Sequence, residues 1–320
     1  MMRMKIGMKI GMKRTNSMVF IPILILLLIA CAAVLTSCSN KNYETNEHKI
    51  DGAFTDIYVK TDTADVVFIP STDGECRVVC HEQKNLKHSV SVINGTLTVS
   101  VLDKRTWVEK IVGFEKTNIS VYLPVSEYAA LTLSTDTGDM KIPAGFKFSS
   151  IDISGSTGNV ECSASALGSV KVKMSTGDVE LEDMFAKSVS ITVSTGDIEL
   201  SDINCEEEIR TTLSTGKLDA ENVSCKNFIS DASTGDTELS HVIASGRFEV
   251  ERDTGDVKFS SCDGEEIYIA TGTGDVKGSF LSEKIIFANT DTGKIQVPKL
   301  TEGGRCEITT DTGNIIISIE

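Results

Sequence analysis

The sequence predicts an all-β fold: a single-stranded parallel β-solenoid (β-helix) of about ten coils of 19–20 residues, with an irregular N-terminal β cap. Three observations lead there. A Thr-Gly pair recurs ten times, with its glycine at Gly138, Gly158, Gly177, Gly196, Gly216, Gly235, Gly255, Gly274, Gly293 and Gly313, and every step is 19 or 20 residues. Apolar and polar residues alternate on both sides of each pair, as in Val189-Ser190-Ile191-Thr192-Val193 and Ile198-Glu199-Leu200, which is the period of a strand with one buried face. The interval leaves no room for two strands and a helix of about ten residues as well. Successive coils then hydrogen-bond as parallel strands, so ten coils at about 4.8 Å each make a rod of roughly 48 Å.

The N-terminal segment has a different character. Before Cys38 it carries Arg3, Lys5, Lys9, Lys13 and Arg14 and no acidic residue, and residues 19–35 are an apolar run. The run is slightly short of the ~20 residues of a spanning helix and resembles the apolar region of a signal peptide. It closes on Leu35-Thr36-Ser37-Cys38, which resembles a bacterial lipobox, so Cys38 is the candidate lipidation site. Leu28-Ile29-Ala30-Cys31 is a second match, but polar sequence follows Cys38 at once. The alternative is an uncleaved membrane helix. Either reading anchors the chain to a bacterial cell membrane and places the remainder outside it. Residues 1–37 are therefore read as signal peptide or membrane anchor, and 38–53 as a polar tether.

Residues 54–130 are strand-like but irregular and read as the cap that a solenoid end requires. Strands are expected at 66–69, 77–81, 89–93, 96–101 and 119–123. Thr63-Ala64-Asp65-Val66 looks like a worn Thr-Gly-Asp-Val corner, and Asn94-Gly95 between two alternating runs signals a hairpin. Residues 104–116 place Trp107, Val108, Ile111, Val112 and Phe114 among charges and read as a flap over the solenoid side.

Residues 131–320 are the repeat solenoid. A sharp corner favours a residue tolerant of positive φ, which explains the glycine. The following residue is Asp139, Asp178, Asp197, Asp236, Asp256 or Asp275 in six coils, Asn159 or Asn314 in two, and Lys217 or Lys294 in two. Asp and Asn at a corner bond nearby backbone amides. Stacked aspartates also repel, and the two lysines would relieve this. A calcium β-roll would need G-G-x-G-x-D, which is missing, so the acidic ladder is read as structural turn, with no metal and no cofactor.

The cysteines beyond the leader are Cys76, Cys80, Cys162, Cys205, Cys225, Cys262 and Cys306. An odd, widely spaced set without C-x-x-C suits neither a disulfide framework nor zinc, so they read as buried thiols, with Cys205 and Cys225 stacked on adjacent layers. No cap is visible after the last repeat. Ile315–Ile319 is expected at an open end, where it would pair with a partner or associate end to end with another copy.

From Cys38 onward 26 basic residues face 46 acidic ones, a formal charge of −20. Such a surface repels nucleic acid and bare anionic membrane and suits a soluble ectodomain that attracts cations or basic peptides. The corners are too short to build a catalytic cleft. His48, His81, His88 and His241 are scattered without a catalytic motif, and no phosphate-binding glycine loop occurs. One Thr per coil does not make the paired ranks of an ice-binding face.

The Thr-Gly-Asp-Val corners, the Val121-Tyr122-Leu123-Pro124 step and the anchor-like N-terminus resemble the bacterial "putative adhesin" β-strand-repeat family, also called toastrack, over roughly 54–320. The resemblance implies an envelope β-helix without catalytic residues, and some relatives are linked to envelope-stress and antimicrobial-peptide responses. The expectation is a non-enzymatic envelope-anchored binding or scaffold protein of adhesion type, with a protein, peptide or glycan ligand. The alternative is an accessory protein of a stress response that binds cationic peptides or a membrane partner.

Overall fold

The computed structural model describes residues 43–103 and 117–320. Residues 44–320 form one compact unit with one continuous apolar core. All regular elements among the described residues are strands. They run β1 (Tyr43–Lys49), β2 (Asp56–Thr61), β3 (Ala64–Pro70), β4 (Arg77–Gln83), β5 (Leu86–Ile93), β6 (Thr96–Asp103), β7 (Thr117–Leu123) and β8 (Glu127–Thr137). The regular coils follow as β9 (Met140–Ile142), β10 (Lys147–Thr157), β11 (Val160–Cys162), β12 (Ser165–Thr176), β13 (Val179–Thr195), β14 (Ile198–Cys205), β15 (Glu208–Thr215) and β16 (Leu218–Cys225). The last are β17 (Asn227–Thr234), β18 (Thr237–Thr254), β19 (Val257–Thr273), β20 (Val276–Phe280), β21 (Lys284–Thr292), β22 (Ile295–Gln296), β23 (Gly304–Thr312) and β24 (Ile315–Ile319). The candidate lipidation site Cys38, the apolar leader and the proposed flap lie outside the described residues.

The architecture is the parallel solenoid that the repeat predicts. Each Thr-Gly corner separates a leading strand from a following one, and both pair in parallel with their equivalents in the next coil. Equivalent side chains stack into ranks. Val170, Val189, Ile209, Phe228, Phe248, Ile267 and Cys306 are successive register partners, and all are buried. Alternation sends every second side chain inward, so Val179 and Leu181 are buried while Glu180 and Glu182 are exposed. Each fully buried Val, Leu or Ile contributes roughly 1.5–3 kcal/mol. Volume is conserved within a rank: a Cβ on Gly278 would lie 2.4 Å from the ring of Phe259, so the small residue makes room for the large one.

A second corner escaped the sequence reading. Asp183, Asp202, Asn222, His241 and Ser261, each six residues after a corner glycine, have φ of 48–54°. Asp and Asn tolerate this left-handed conformation better than most residues, so the local strain is modest at three of the five.

The order of layers departs from chain order at both ends. At the N-terminal end β2 lies between β6 and β8, and β3 between β7 and β9. The worn corner at Ala64 is therefore an interior layer. Beyond β6 and β7 the chain reverses: β5 runs antiparallel to β6 through the Asn94-Gly95 hairpin, and β4 runs antiparallel to β7. The strands expected in this region are all present; β3, β6 and β7 belong to the parallel stack, and β4 and β5 cover its edge. Residues 43–49, read from the sequence as part of a tether, instead form β1 beside β4. Apolar periodicity is missing there because β1 meets polar partners: Asn46 Nδ2 donates to Glu82 Oε1 at 2.8 Å.

At the C-terminal end the last coil in sequence is not the last in space. β23 pairs with β19 on one side and β21 on the other, and β24 lies between β20 and β22. Ile315 and Ile316 are thus interior, which corrects the expected place of this strand at the open end, while 317–319 pair with β20 alone. The outermost layer is β21 with β22.

Candidate functional site

The Thr-Gly corners stack along one edge of the solenoid. Nine of the ten glycines have φ between 129° and 158°, Gly293 of the outermost layer being the exception. Contact matters as much as conformation. A Cβ on Gly216 would lie 1.9 Å from the carbonyl oxygen of Gly196. The Thr carbonyls link the corners, as where Gly158 N donates to Thr176 O at 3.1 Å.

The acidic ladder caps these corners. Asp139 N donates to Asp65 Oδ1 (2.9 Å), Asn159 N to Asp139 Oδ1 (3.0 Å), Asp178 N to Asn159 Oδ1 (3.0 Å), Asp197 N to Asp178 Oδ1 (2.8 Å) and Lys217 N to Asp197 Oδ1 (2.7 Å). It resumes with Asp256 N on Asp236 Oδ1 and Asp275 N on Asp256 Oδ1, both at 2.9 Å. Every one of these side chains is committed to the amide of the next layer, so the ladder is built for turn formation. Asp275 is held below the usual carboxylate range, first by the Asn314 backbone N–H and then by Lys277.

A different row carries the surface charge, and the sequence reading missed it. The third residue after each of the first eight corner glycines points outward, and these residues are successive register partners: Lys141, Glu161, Glu180, Glu199, Asp219, Glu238, Lys258 and Lys277. Five acids stand in adjacent layers about 4.8 Å apart, bounded by lysines at both ends. The ends are neutralised. Lys141 pairs with Glu161, and Lys217 Nζ lies 2.9 Å from both Asp219 Oδ2 and Glu238 Oε2, which raises its own pKa. Glu180 and Glu199 in the middle, with Glu182 and Glu221 beside them, have no basic partner at ion-pair distance among the described residues. Like charges directly opposite on parallel neighbours are unfavourable. This face forms an open groove of about 820 Å³, lined by Glu180, Glu199, Asp219, Glu221 and Glu238 and closed at one end by Lys258 and Lys277. Counting three residues past each glycine would have exposed the row.

Two other side-chain groups gather donors that a metal could use: Cys80, Glu82 and His88, and Asp231, Glu249 and Glu251. The first is already satisfied. Glu82 Oε2 accepts from His88 Nδ1 (2.8 Å) and His88 N (2.7 Å), and His88 Nε2 meets Thr61 Oγ1 at 3.0 Å. These side chains are buried, so this Thr-His-Glu chain, which sequence spacing did not reveal, ties β2, β4 and β5 together. In the second group Arg247 pairs with Glu249 and Arg210 lies 3.5 Å from Asp231. His81 bonds Thr45, and His241 occupies a second-corner position beside Ser240.

The seven described cysteines are free; six are buried and Cys76 is half-buried. Burial pushes Cys80, Cys162, Cys225 and Cys306 up to about 12 and Cys76 and Cys262 up to about 11.

Fold and surface define a parallel β-solenoid with a charged, unbroken lateral face. The chain belongs to the family described as Toastrack DUF4097, whose profile matches residues 54–212 and 205–320. Similar solved structures include a "putative adhesin" from Bacteroides fragilis (16% identity, 87% of this chain and 98% of that chain, TM-score 0.45). A "putative lipid binding protein" from Parabacteroides distasonis is also similar (14%, 87% and 98%, 0.40), as is a "putative adhesin" from the same species (11%, 84% and 98%, 0.41). No curated protein matches the chain.

Proposed function

We propose that this protein is a non-enzymatic, extracytoplasmic binding module of adhesion type, anchored through its N-terminal segment, whose ligand-contacting face is the acidic row. The observation that carries this reading is the run of adjacent outward acids from Glu161 to Glu238, whose central members Glu180 and Glu199 lack basic partners. A polycationic ligand would relieve their mutual repulsion, whereas a neutral glycan would not. A basic peptide or a lysine- and arginine-rich protein segment lying along the groove fits this chemistry. The same face serves an adhesin that meets a basic surface and an accessory protein that meets cationic peptides of a stress response. Lipid anchoring at Cys38 would hold the row outside the membrane.

The test is titration calorimetry of residues 44–320 with a lysine-rich peptide at low and high salt. Binding is expected to weaken steeply with salt. The triple variant Glu180→Gln, Glu199→Gln, Asp219→Asn is expected to lose at least tenfold in affinity without loss of thermal stability. Binding that survives the triple variant, or that responds only to glycans, overturns the proposal.

A further inference from the structure

The two ends of the solenoid are finished differently. At the N-terminal end antiparallel β5 and β4 cover β6 and β7. At the other end β21 is paired with β23 alone, and β22 with β24 alone. The core is open there. Ile295 is 46% exposed, whereas its rank partner Ile315 is fully buried, as are Val276 and Val257 further in. Ile286 and Ala288 are only half-buried, although their neighbours Cys306 and Ile308 are fully covered. Phe287 is 58% exposed, with only the Arg305 guanidinium over its ring at 5.8 Å.

Such an edge is a template for strand addition, and lysine, proline or a bulge normally blunts it. The single lysine within β21 does not serve: Lys284 is buried and paired with Asp263. The charge of this layer is also unlike the rest. From 283 to 303 it holds Glu283, Asp291 and Glu302 against Lys284, Lys294 and Lys299, so it is formally neutral in a chain that carries −20 beyond Cys38.

We infer that this end is a homotypic interface, in which two copies meet end to end through their β21–β22 layers about a two-fold axis. β21 then runs antiparallel to β21 of the second copy and joins the two stacks into one sheet. Neutral ends are where two acidic rods approach with least repulsion. The occupant must cover two sides of the coil at once, because β21 and Ile295 lie on different sides of the corner. A lone peptide strand would pair with β21 and leave Ile295 in water. A second solenoid end has the same cross-section and closes both lumens, and the isologous contact stops at a dimer.

The experiment is sedimentation of residues 44–320 across the micromolar range, beside the double variant Phe287→Glu, Ile295→Glu. Both side chains are already exposed, so the variant is expected to keep its fold by circular dichroism while its dimer dissociates at least tenfold more readily. A second variant, Asn289→Cys, is expected to form a dimer with a short thiol-reactive cross-linker where the parent does not. A monomer at every concentration overturns the inference, as does a dimer indifferent to the double variant. Oligomers that grow beyond two, with no cross-link at position 289, overturn it in favour of head-to-tail stacking.

Discussion

Asp275 Oδ1 accepts the backbone N–H of Asn314 at 2.7 Å and its side-chain amide at 3.0 Å, across 39 positions that contain a whole repeat. The corner ladder therefore skips Lys294. That lysine donates its own N–H to Asn314 Oδ1 at 3.1 Å and sits in the outermost layer, where no further amide needs an acceptor. The sequence position that looked like an interruption is the end of the ladder.

Removing the acceptor at Asp275 should cost stability, and removing the side chain of Lys294 should not. Asp275→Ala is expected to lose about 1.5–3 kcal/mol, the range for hydrogen bonds to charged groups, while Lys294→Ala stays within about 0.5 kcal/mol. Urea unfolding of residues 44–320 measures both. Asp275→Asn keeps an acceptor, as Asn159 and Asn314 do, and should fall between them. The carboxyl of Asp275 is held below its ordinary value, so its contribution is complete above the unfolded value of about 3.9 and is lost as pH falls through the lower folded value. Asp275→Asn should remove that share of the acid sensitivity.

Corner glycines should differ sharply from glycines at loop tips. In Gly196→Ala the new Cβ would sit 2.2 Å from the Gly177 carbonyl oxygen, at φ +140°. Two stacked layers must part to admit it, so a loss above about 4 kcal/mol is expected. Gly74 also has positive φ (+76°), but nothing lies within 4 Å of its added Cβ. Gly74→Ala should cost only about 1 kcal/mol of backbone strain. Equal losses in urea would mean that conformation alone, not close approach, selects glycine.

The coils were legible because one signal repeats: the Thr-Gly spacing fixes the corner, and alternation fixes which residues line the lumen. The cap strands were legible for the same reason, down to the Asn94-Gly95 turn. Layer order was not, because Gly274, Gly293 and Gly313 lie on an even spacing that gives no sign of the swap. The register of β23 against β19 and the bond from Asp275 to Asn314 reveal it. β1 was missed because its inward residues are polar and answer Glu82 rather than an apolar core. The acidic row was present in the sequence, but it becomes a row only when register places Glu180 beside Glu199. The Thr61–His88–Glu82 chain joins residues from three strands, and no local pattern announces it.

The thiols should be silent in the native state. With pKa values pushed to about 11 or 12 by burial, Cys80, Cys162, Cys225, Cys262 and Cys306 carry almost no thiolate at pH 8 and are covered as well. Alkylation of residues 44–320 should label Cys76 slowly and the other six only after denaturation, giving seven adducts by intact mass. The folded values are raised, so this stabilisation is intact below the unfolded value of about 8.5 and declines as pH rises toward 12. Rapid native labelling of more than one thiol would contradict the packing.

Arg252 should be a cost that the lumen tolerates. It follows Met174, Val193, Leu213 and Ala232 in an inward rank that continues with Thr271 and Thr310, and is 5% exposed. Small Ala232 leaves the space, and the guanidinium reaches Thr237 Oγ1 (2.6 Å), Ser230 Oγ (2.9 Å) and Glu251 O (2.8 Å). No carboxylate lies at ion-pair distance among the described residues. Desolvation lowers its pKa to about 10 against the weaker opposing attraction of Asp231, so it remains charged at neutral pH while its hydrogen bonds go to neutral oxygens. The double variant Arg252→Met, Thr237→Val fills the space with apolar atoms and is expected to be more stable by about 1–4 kcal/mol. Arg252→Ala leaves a cavity and should lose stability instead. A base with a depressed folded pKa carries its penalty at every pH below that value. The gain in the double variant should therefore be constant through the neutral range and shrink above pH about 10. Chemical denaturation at pH 7 and pH 10.5 measures both; a double variant less stable than the parent would show that the arginine's three hydrogen bonds outweigh its desolvation.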